Sequence, residues 1–215
     1  MNIKLYITLL VLAISTTALQ AQRTYANTTP ARLTEPSINS LFIVNYNMGF
    51  ATGEIQDFTQ TNSFRGTSIE YRTFVSNKLS VGFSGDFQNF YDAKGKETME
   101  YKDIVLTGNA YNWVYTSSLM GTFHYYLKNP STSKLVPYIG IGAGGVYTSY
   151  EKTLGGVDFQ ADNWQFGIAP EIGIMLKLNS HLFFNGSARY NYTIENNNMA
   201  SQEYWSIKTG FAFAF

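Results

Sequence analysis

Two histidines, His124 and His181, are the only imidazoles available for acid–base or metal chemistry in a chain of 215 residues that has no cysteine. A nucleophile, a base and an acid can be written as Ser118, His124 and Glu171. In an extended strand, residues 118 and 124 are three same-face positions apart, roughly 20 Å at about 3.3 Å per residue. A nucleophile must sit within hydrogen-bond reach of its base, so this grouping fails as a triad. Metal ligation is also poorly served, because His124 has no second histidine on its face and no thiolate exists. Gly140, Gly142 and Gly144 are spaced by two with no helix after them, which excludes a phosphate loop and reads as relief of crowding. The remaining ionisable set is Glu70, Arg72, Asp86, His124, Glu171, Arg189 and Lys208. Three acids against three bases suit ion pairing, so no catalytic, cofactor-binding or metal residue is assigned and no cofactor is expected.

The composition surrounding these groups is 45% hydrophobic and 16% aromatic but only 14% charged, and 15 Lys+Arg balance 15 Asp+Glu. Such a chain has no basic field with which to gather nucleic acid. Its length suits one domain. The N-terminus runs Met1, Asn2, Ile3, Lys4, then an apolar stretch from Leu5 to Ile14, then small and polar residues through Gln22. That pattern predicts a signal peptide over residues 1–21, cleaved after Ala21 with Gln22 as the alternative. The apolar run is about half of the roughly 20 residues that a spanning helix needs. Residues 22–36 are polar, contain Pro30 and Pro36, and predict a flexible periplasmic lead-in to a domain at 37–215. Without cysteine, that domain must hold together without disulfides.

From Ser37 onward, apolar and polar residues alternate with period two, and helix-period patterns are absent. Eight segments follow: Leu41 to Ala51, Phe64 to Val75, Leu79 to Phe90, Trp113 to Leu127, Pro137 to Tyr150, Trp164 to Leu176, Leu182 to Tyr192 and Tyr204 to Phe215. The links between them are predicted to alternate. Ser76–Lys78, Lys128–Val136 and Lys177–His181 are the shorter ones, while Thr52–Ser63, Tyr91–Asn112, Glu151–Asn163 and Thr193–Glu203 are longer and more charged. Short turns at one end and long loops at the other are the pattern of a barrel crossing a membrane. Pro170 cannot donate a ladder hydrogen bond, which predicts a bulge or break in the sixth strand.

Splitting each strand by parity yields two unlike faces. One carries Phe42, Val44, Tyr46, Ile69, Phe83, Phe87, Leu119, Phe123, Ile139, Ile172, Phe184, Ile207, Phe211 and their like, without charge in the strand centres. The other carries Asn45, Asn47, Ser68, Ser84, Gln88, Thr122, Asn185, Ser187 and Ser206, the ionisable set above and several glycines. A small lumen cannot hold so many rings, so the apolar face must point outward into lipid. A Lys or Arg at mid-membrane on that face costs roughly 2–4 kcal/mol, which accounts for its lack of charge. An open edge in hydrocarbon would strand backbone polar groups, so the sheet must close. The expected fold is all-β: a closed, antiparallel, up-and-down transmembrane barrel of about eight strands, with Glu70, Arg72, Asp86, His124, Glu171, Arg189 and Lys208 in a lumen network. Arg65 falls outward near the loop end, where snorkelling is expected over contact with lipid phosphate.

The segment from Leu41 to Phe215 resembles the OmpA/OmpX-like eight-stranded outer-membrane β-barrel family. The closing residues Lys208, Thr209, Gly210, Phe211, Ala212, Phe213, Ala214 and Phe215 look like the assembly signal of such proteins, with Lys208, Gly210, Phe213 and Phe215 at its key positions. Pro137-Tyr138-Ile139-Gly140 and Ala169-Pro170-Glu171 are softer points of similarity. The resemblance implies a bacterial outer-membrane location after export through the periplasm and contact with the barrel-assembly machinery during insertion. It also implies partners in outer-membrane lipid and lipopolysaccharide. Some small barrels of this kind are lipid-modifying enzymes with Ser and His at the outer leaflet, but His124 is expected near the periplasmic end and His181 in a periplasmic turn. The expected role is therefore non-enzymatic: a monomeric anchor or a surface-interaction protein whose loops meet an unidentified ligand, Tyr91–Asn112 offering the largest loop surface. The alternatives are a small pore, a lipid-modifying enzyme and a soluble lipocalin-like carrier.

Overall fold

The computed structural model describes residues 38–101, 104–196 and 198–215. The signal peptide and lead-in expected over 1–36 lie outside them. Eight strands form: β1 (Ser40–Thr52), β2 (Ser63–Ser76), β3 (Leu79–Tyr101), β4 (Ile104–Tyr126), β5 (Leu135–Leu154), β6 (Val157–Lys177), β7 (Leu182–Thr193) and β8 (Glu203–Ala214). Each pairs antiparallel with its sequence neighbours, and β1 pairs with β8 to close the ring. That seam runs from Leu41 opposite Ala214 to Thr52 opposite Glu203. It satisfies backbone groups that an open sheet would leave bare.

The parity split describes the two faces of the ring. Leu119 is 65% exposed and Ile172 63%, while Glu70, Arg72, Glu171, Arg189 and Lys208 are all buried. An aqueous protein rarely shows a contiguous apolar surface of this kind, so the exterior is built to face lipid. Towards one end, which carries the longer strands, the outward residues include all three tryptophans, Trp113, Trp164 and Trp205, and Tyr91, Tyr147 and Tyr190 lie opposite them on neighbouring strands. Amphipathic rings in such a band mark a membrane–water boundary.

The inner face is more layered than a uniformly polar lumen. At the short-turn end, Leu41, Ile43, Tyr126, Val136, Tyr138, Met175 and Phe183 pack into an apolar plug. At the other end Ile55, Phe90, Val114 and Tyr204 form a second. Ile55 comes from a short helix, α1 (Gly53–Phe58), which folds over the mouth and is held at its end by Asn112 Nδ2 donating to the Phe58 carbonyl at 2.7 Å. The charged groups occupy the layer between the plugs.

Two expectations about loops need correction. Tyr91–Asn112 is not a loop: β3 and β4 stay paired through Asp92 opposite Asn112 up to Tyr101 opposite Ile104, with one register shift at Gly95. Glu151–Asn163 is likewise a hairpin, since β5 and β6 pair up to Leu154 opposite Val157. Its turn is Gly155-Gly156 with φ of 57° and 89°, the left-handed pair that a two-residue hairpin turn requires. Length of link was thus a poor guide, because extended strands absorbed the charged segments. Of the bulge or break expected at Pro170, the structure has a local break on one side alone: the ladder to β5 runs unbroken through Ile141 opposite Pro170. The ladder to β7 lapses between Ile168 opposite Tyr192 and Glu171 opposite Arg189 and resumes in the same register, so the missing donor is tolerated locally.

Candidate functional site

The middle layer of the lumen is one connected set of charges. Arg72, on β2, places Nη2 2.9 Å from Glu70 Oε2 and 3.3 Å from Glu171 Oε1. Arg189, on β7, donates through Nε to Glu171 Oε2 at 2.6 Å and through Nη1 to Asp86 Oδ2 at 3.0 Å. Lys208, on β8, bonds the other oxygen of Asp86. Tyr126 and Tyr138 rise from the apolar plug to meet this layer. The Tyr126 hydroxyl accepts from Arg72 at 3.2 Å, and the Tyr138 hydroxyl lies 2.9 Å from Glu171 Oε1. The Arg72 guanidinium also sits 4.7 Å from the centre of the Tyr138 ring. Strand alternation aims every one of these side chains inward, and closure brings contributions from β2 through β8 to one layer.

His124 belongs to the same cluster by position. Its Nε2 is 3.5 Å from Glu70 Oε1, a separation too long for a strong hydrogen bond. Both Glu70 Oε1 and His124 Nδ1 are buried without a hydrogen-bond partner. The ring packs on Gly140, where an added Cβ would come within 2.3 Å of His124 Cδ2. Gly173 does the same for Tyr138, also at 2.3 Å. Absent side chains on β5 and β6 therefore make room for the aromatic members of the network.

Across 82% of this chain and 97% of the other, the fold matches Neisserial surface protein A with a TM-score of 0.52 at 14% identity. It matches Ail, the attachment invasion locus protein of Yersinia pestis, with a TM-score of 0.51 at 12% identity over 84% of this chain and all of that one. Ail in complex with the heparin analogue sucrose octasulfate gives 0.50 at 13% identity, covering 85% and 100%. No protein-family model matches the sequence, and no curated protein matches it by sequence. This chain has the fold of an eight-stranded outer-membrane β-barrel.

Inside that outer-membrane barrel fold, Ser118 and His181 have partners other than His124. Ser118 Oγ donates to Asp86 Oδ2 at 3.4 Å rather than to His124. His181 is exposed at the short-turn end, with Nδ1 2.8 Å from Ser180 Oγ. Glu70, His124 and Glu171 bring one ligand atom each within 4.8 Å of the others, a spacing a metal ion would accept. Yet the place of a cation between the two carboxylates is taken by the Arg72 guanidinium, so the donors do not fit a metal while that pair is intact. The signal for this cluster was present in the sequence as inward parity. Tyr126 and Tyr138, which complete it, share that inward parity but carry no charge to single them out in the sequence.

On the outer surface, the Arg65 guanidinium lies 5.3 Å from the Tyr91 ring centre and 5.9 Å from that of Trp113. It lies against the aromatic band while the residue remains exposed. The C-terminal residues Lys208, Gly210, Phe213 and Phe215 lie on β8 and at its end, along the closing seam. The Phe215 carbonyl accepts from Asn39 N at 2.8 Å, and Phe215 N donates to Ser40 O at 3.0 Å.

Proposed function

We propose that this protein is a non-enzymatic outer-membrane barrel that presents a recognition surface outside the cell, anchored by a lumen that its own side chains fill. The observation that carries the reading is the unequal height of the strands. β3, β4, β5 and β6 have 20 to 23 residues, whereas β1, β2, β7 and β8 have 12 to 14. About 9–11 residues suffice to cross the bilayer, so four strands continue beyond the aromatic band as a sheet. Charge gathers on that extension, and Lys152 bridges β5 to Glu97 of β3 at 2.7 Å. A sheet built this far into water has no role in anchoring, which supports contact with a macromolecule or surface. Ail, a barrel of the same fold, bears the name attachment invasion locus protein, in keeping with a role of this class.

The filled lumen supports anchorage over conduction, and the mutual pairing of its ionisable groups supports structure over catalysis. Lipid of the outer leaflet is the proposed neighbour of the aromatic band, with Arg65 near its headgroups. The test is to shorten the β3–β4 hairpin by joining Ala93 to Tyr111 through an Asn-Gly turn. The shortened protein should insert at wild-type level and keep heat-modifiable migration in detergent gels. Cells displaying it should lose adherence to host-cell or matrix surfaces that the full-length protein confers. Equal adherence by both proteins would remove the proposed role of the sheet.

A further inference from the structure

The mouth of the barrel holds a cleft that neither anchorage nor the projecting sheet requires. It has a volume of about 450 Å³ and lies between α1, β5 and the segment joining β7 to β8. Glu54 and Asp57 of α1 stand on one side, Phe58 and Tyr150 form an aromatic wall, and Met199 and Gln202 bound the other side. Phe58 and Tyr150 meet edge to face with centroids 5.0 Å apart, and the Tyr150 hydroxyl is tied to Gln202 Oε1. The wall is thus braced from both sides.

We propose that this cleft binds a small amphipathic cation, a protonated amine or guanidinium carried on an aromatic or short aliphatic body. Three features argue for that chemistry. Glu54 and Asp57 are both acidic, and neither has an ion-pair partner among the described residues. Among the described residues no basic side chain lines the cleft, which leaves its lining acidic. The rings beside the carboxylates offer apolar area together with the electron-rich faces that attract cations. A volume in the range of roughly 300–1,000 Å³ matches small-molecule sites in general. Below the cleft, Ile55, Phe90, Val114 and Tyr204 close the lumen, which makes it a place of residence rather than the entrance to a channel.

The test titrates the full barrel in detergent micelles with phenethylammonium chloride and, separately, with its neutral isostere 2-phenylethanol, following backbone amide signals by NMR. Phenethylammonium should shift the signals of Glu54, Asp57, Phe58 and Ala200 in a saturable way and bind at least several-fold more tightly than the alcohol. An exposed ion pair contributes about 0.2–1 kcal/mol, so removing two in E54Q/D57N should weaken the cation by roughly two- to thirty-fold and leave the alcohol unchanged. As a check that does not depend on the variant folding, raising NaCl from low to high concentration should weaken the cation alone. Equal affinity of the two probes for the wild-type protein would overturn the proposal. So would a preference that survives both the double substitution and high salt, or shifts confined to residues away from the mouth.

Discussion

Glu171 of β6 and Arg189 of β7 are opposite each other in register, and Arg189 Nε reaches Glu171 Oε2 at 2.6 Å in a site where both side chains are almost wholly buried. The pair is thus set by strand register, and Arg72 and Asp86 join it at its two ends. Breaking a buried pair on one side leaves a charge without a partner, at a cost of roughly 3–5 kcal/mol. E171Q should show a loss of that size in equilibrium urea unfolding from lipid vesicles, followed by tryptophan fluorescence. E171Q/R189M, which removes both charges, should recover part of the loss. A single variant within about 1 kcal/mol of wild type would mean that water, rather than protein, solvates the pair.

Gly140 allows His124 to lie flat against β5. In G140A the new methyl has no free space, and overpacking of this kind costs about 1–3 kcal/mol. The temperature at which the folded band converts to the unfolded one in detergent gels should fall. Adding H124A to G140A should restore it, since the obstacle is the ring. If the double variant stays as unstable as G140A, the contact is not what the glycine serves.

Fully buried Arg72, Arg189 and Lys208 fill the bore between two apolar plugs, one of which holds Tyr126, Tyr138 and Phe183. In planar bilayers the wild-type protein should pass no steady current. Regular open steps at modest voltage would contradict a filled lumen, and with it the anchoring role.

Phe215 takes part in the seam through its backbone, yet the residue is 69% exposed. Deleting the residue removes both the seam hydrogen bonds and the terminal ring, so F215A is the cleaner test of the assembly signal. It should lower the amount of protein inserted in the membrane, while the inserted fraction keeps the wild-type unfolding midpoint. Normal membrane levels of F215A would set aside the role given to that ring in assembly.

The strand number and the sense of the barrel were legible in the sequence because both are local. Alternation of Phe42, Val44 and Tyr46 with Ile43, Asn45 and Asn47 needs only the period of an extended chain, and lipid imposes it wherever one face meets hydrocarbon. The same reasoning explains where it failed. Beyond the aromatic band both faces meet water, so Asp92 to Glu100 and Glu151 to Asp162 lose the pattern while remaining strands, and their charges read as loops. Ile43, Tyr126 and Tyr138 are a different case: each obeys inward parity but is hydrophobic, and packing in the buried cluster at the short-turn end is what its side serves.

By itself, then, the sequence determined on which face the strand-centre charges lie, that they balance, and that the sheet had to close. Tertiary structure alone decided who meets whom. Glu70 and Arg72 are two apart in the chain, but Arg72 and Glu171 are 99 apart and Lys208 and Asp86 are 122 apart. Such partners depend on register accumulated around eight strands, and a slip of one residue anywhere in that ring would turn an inward charge into lipid.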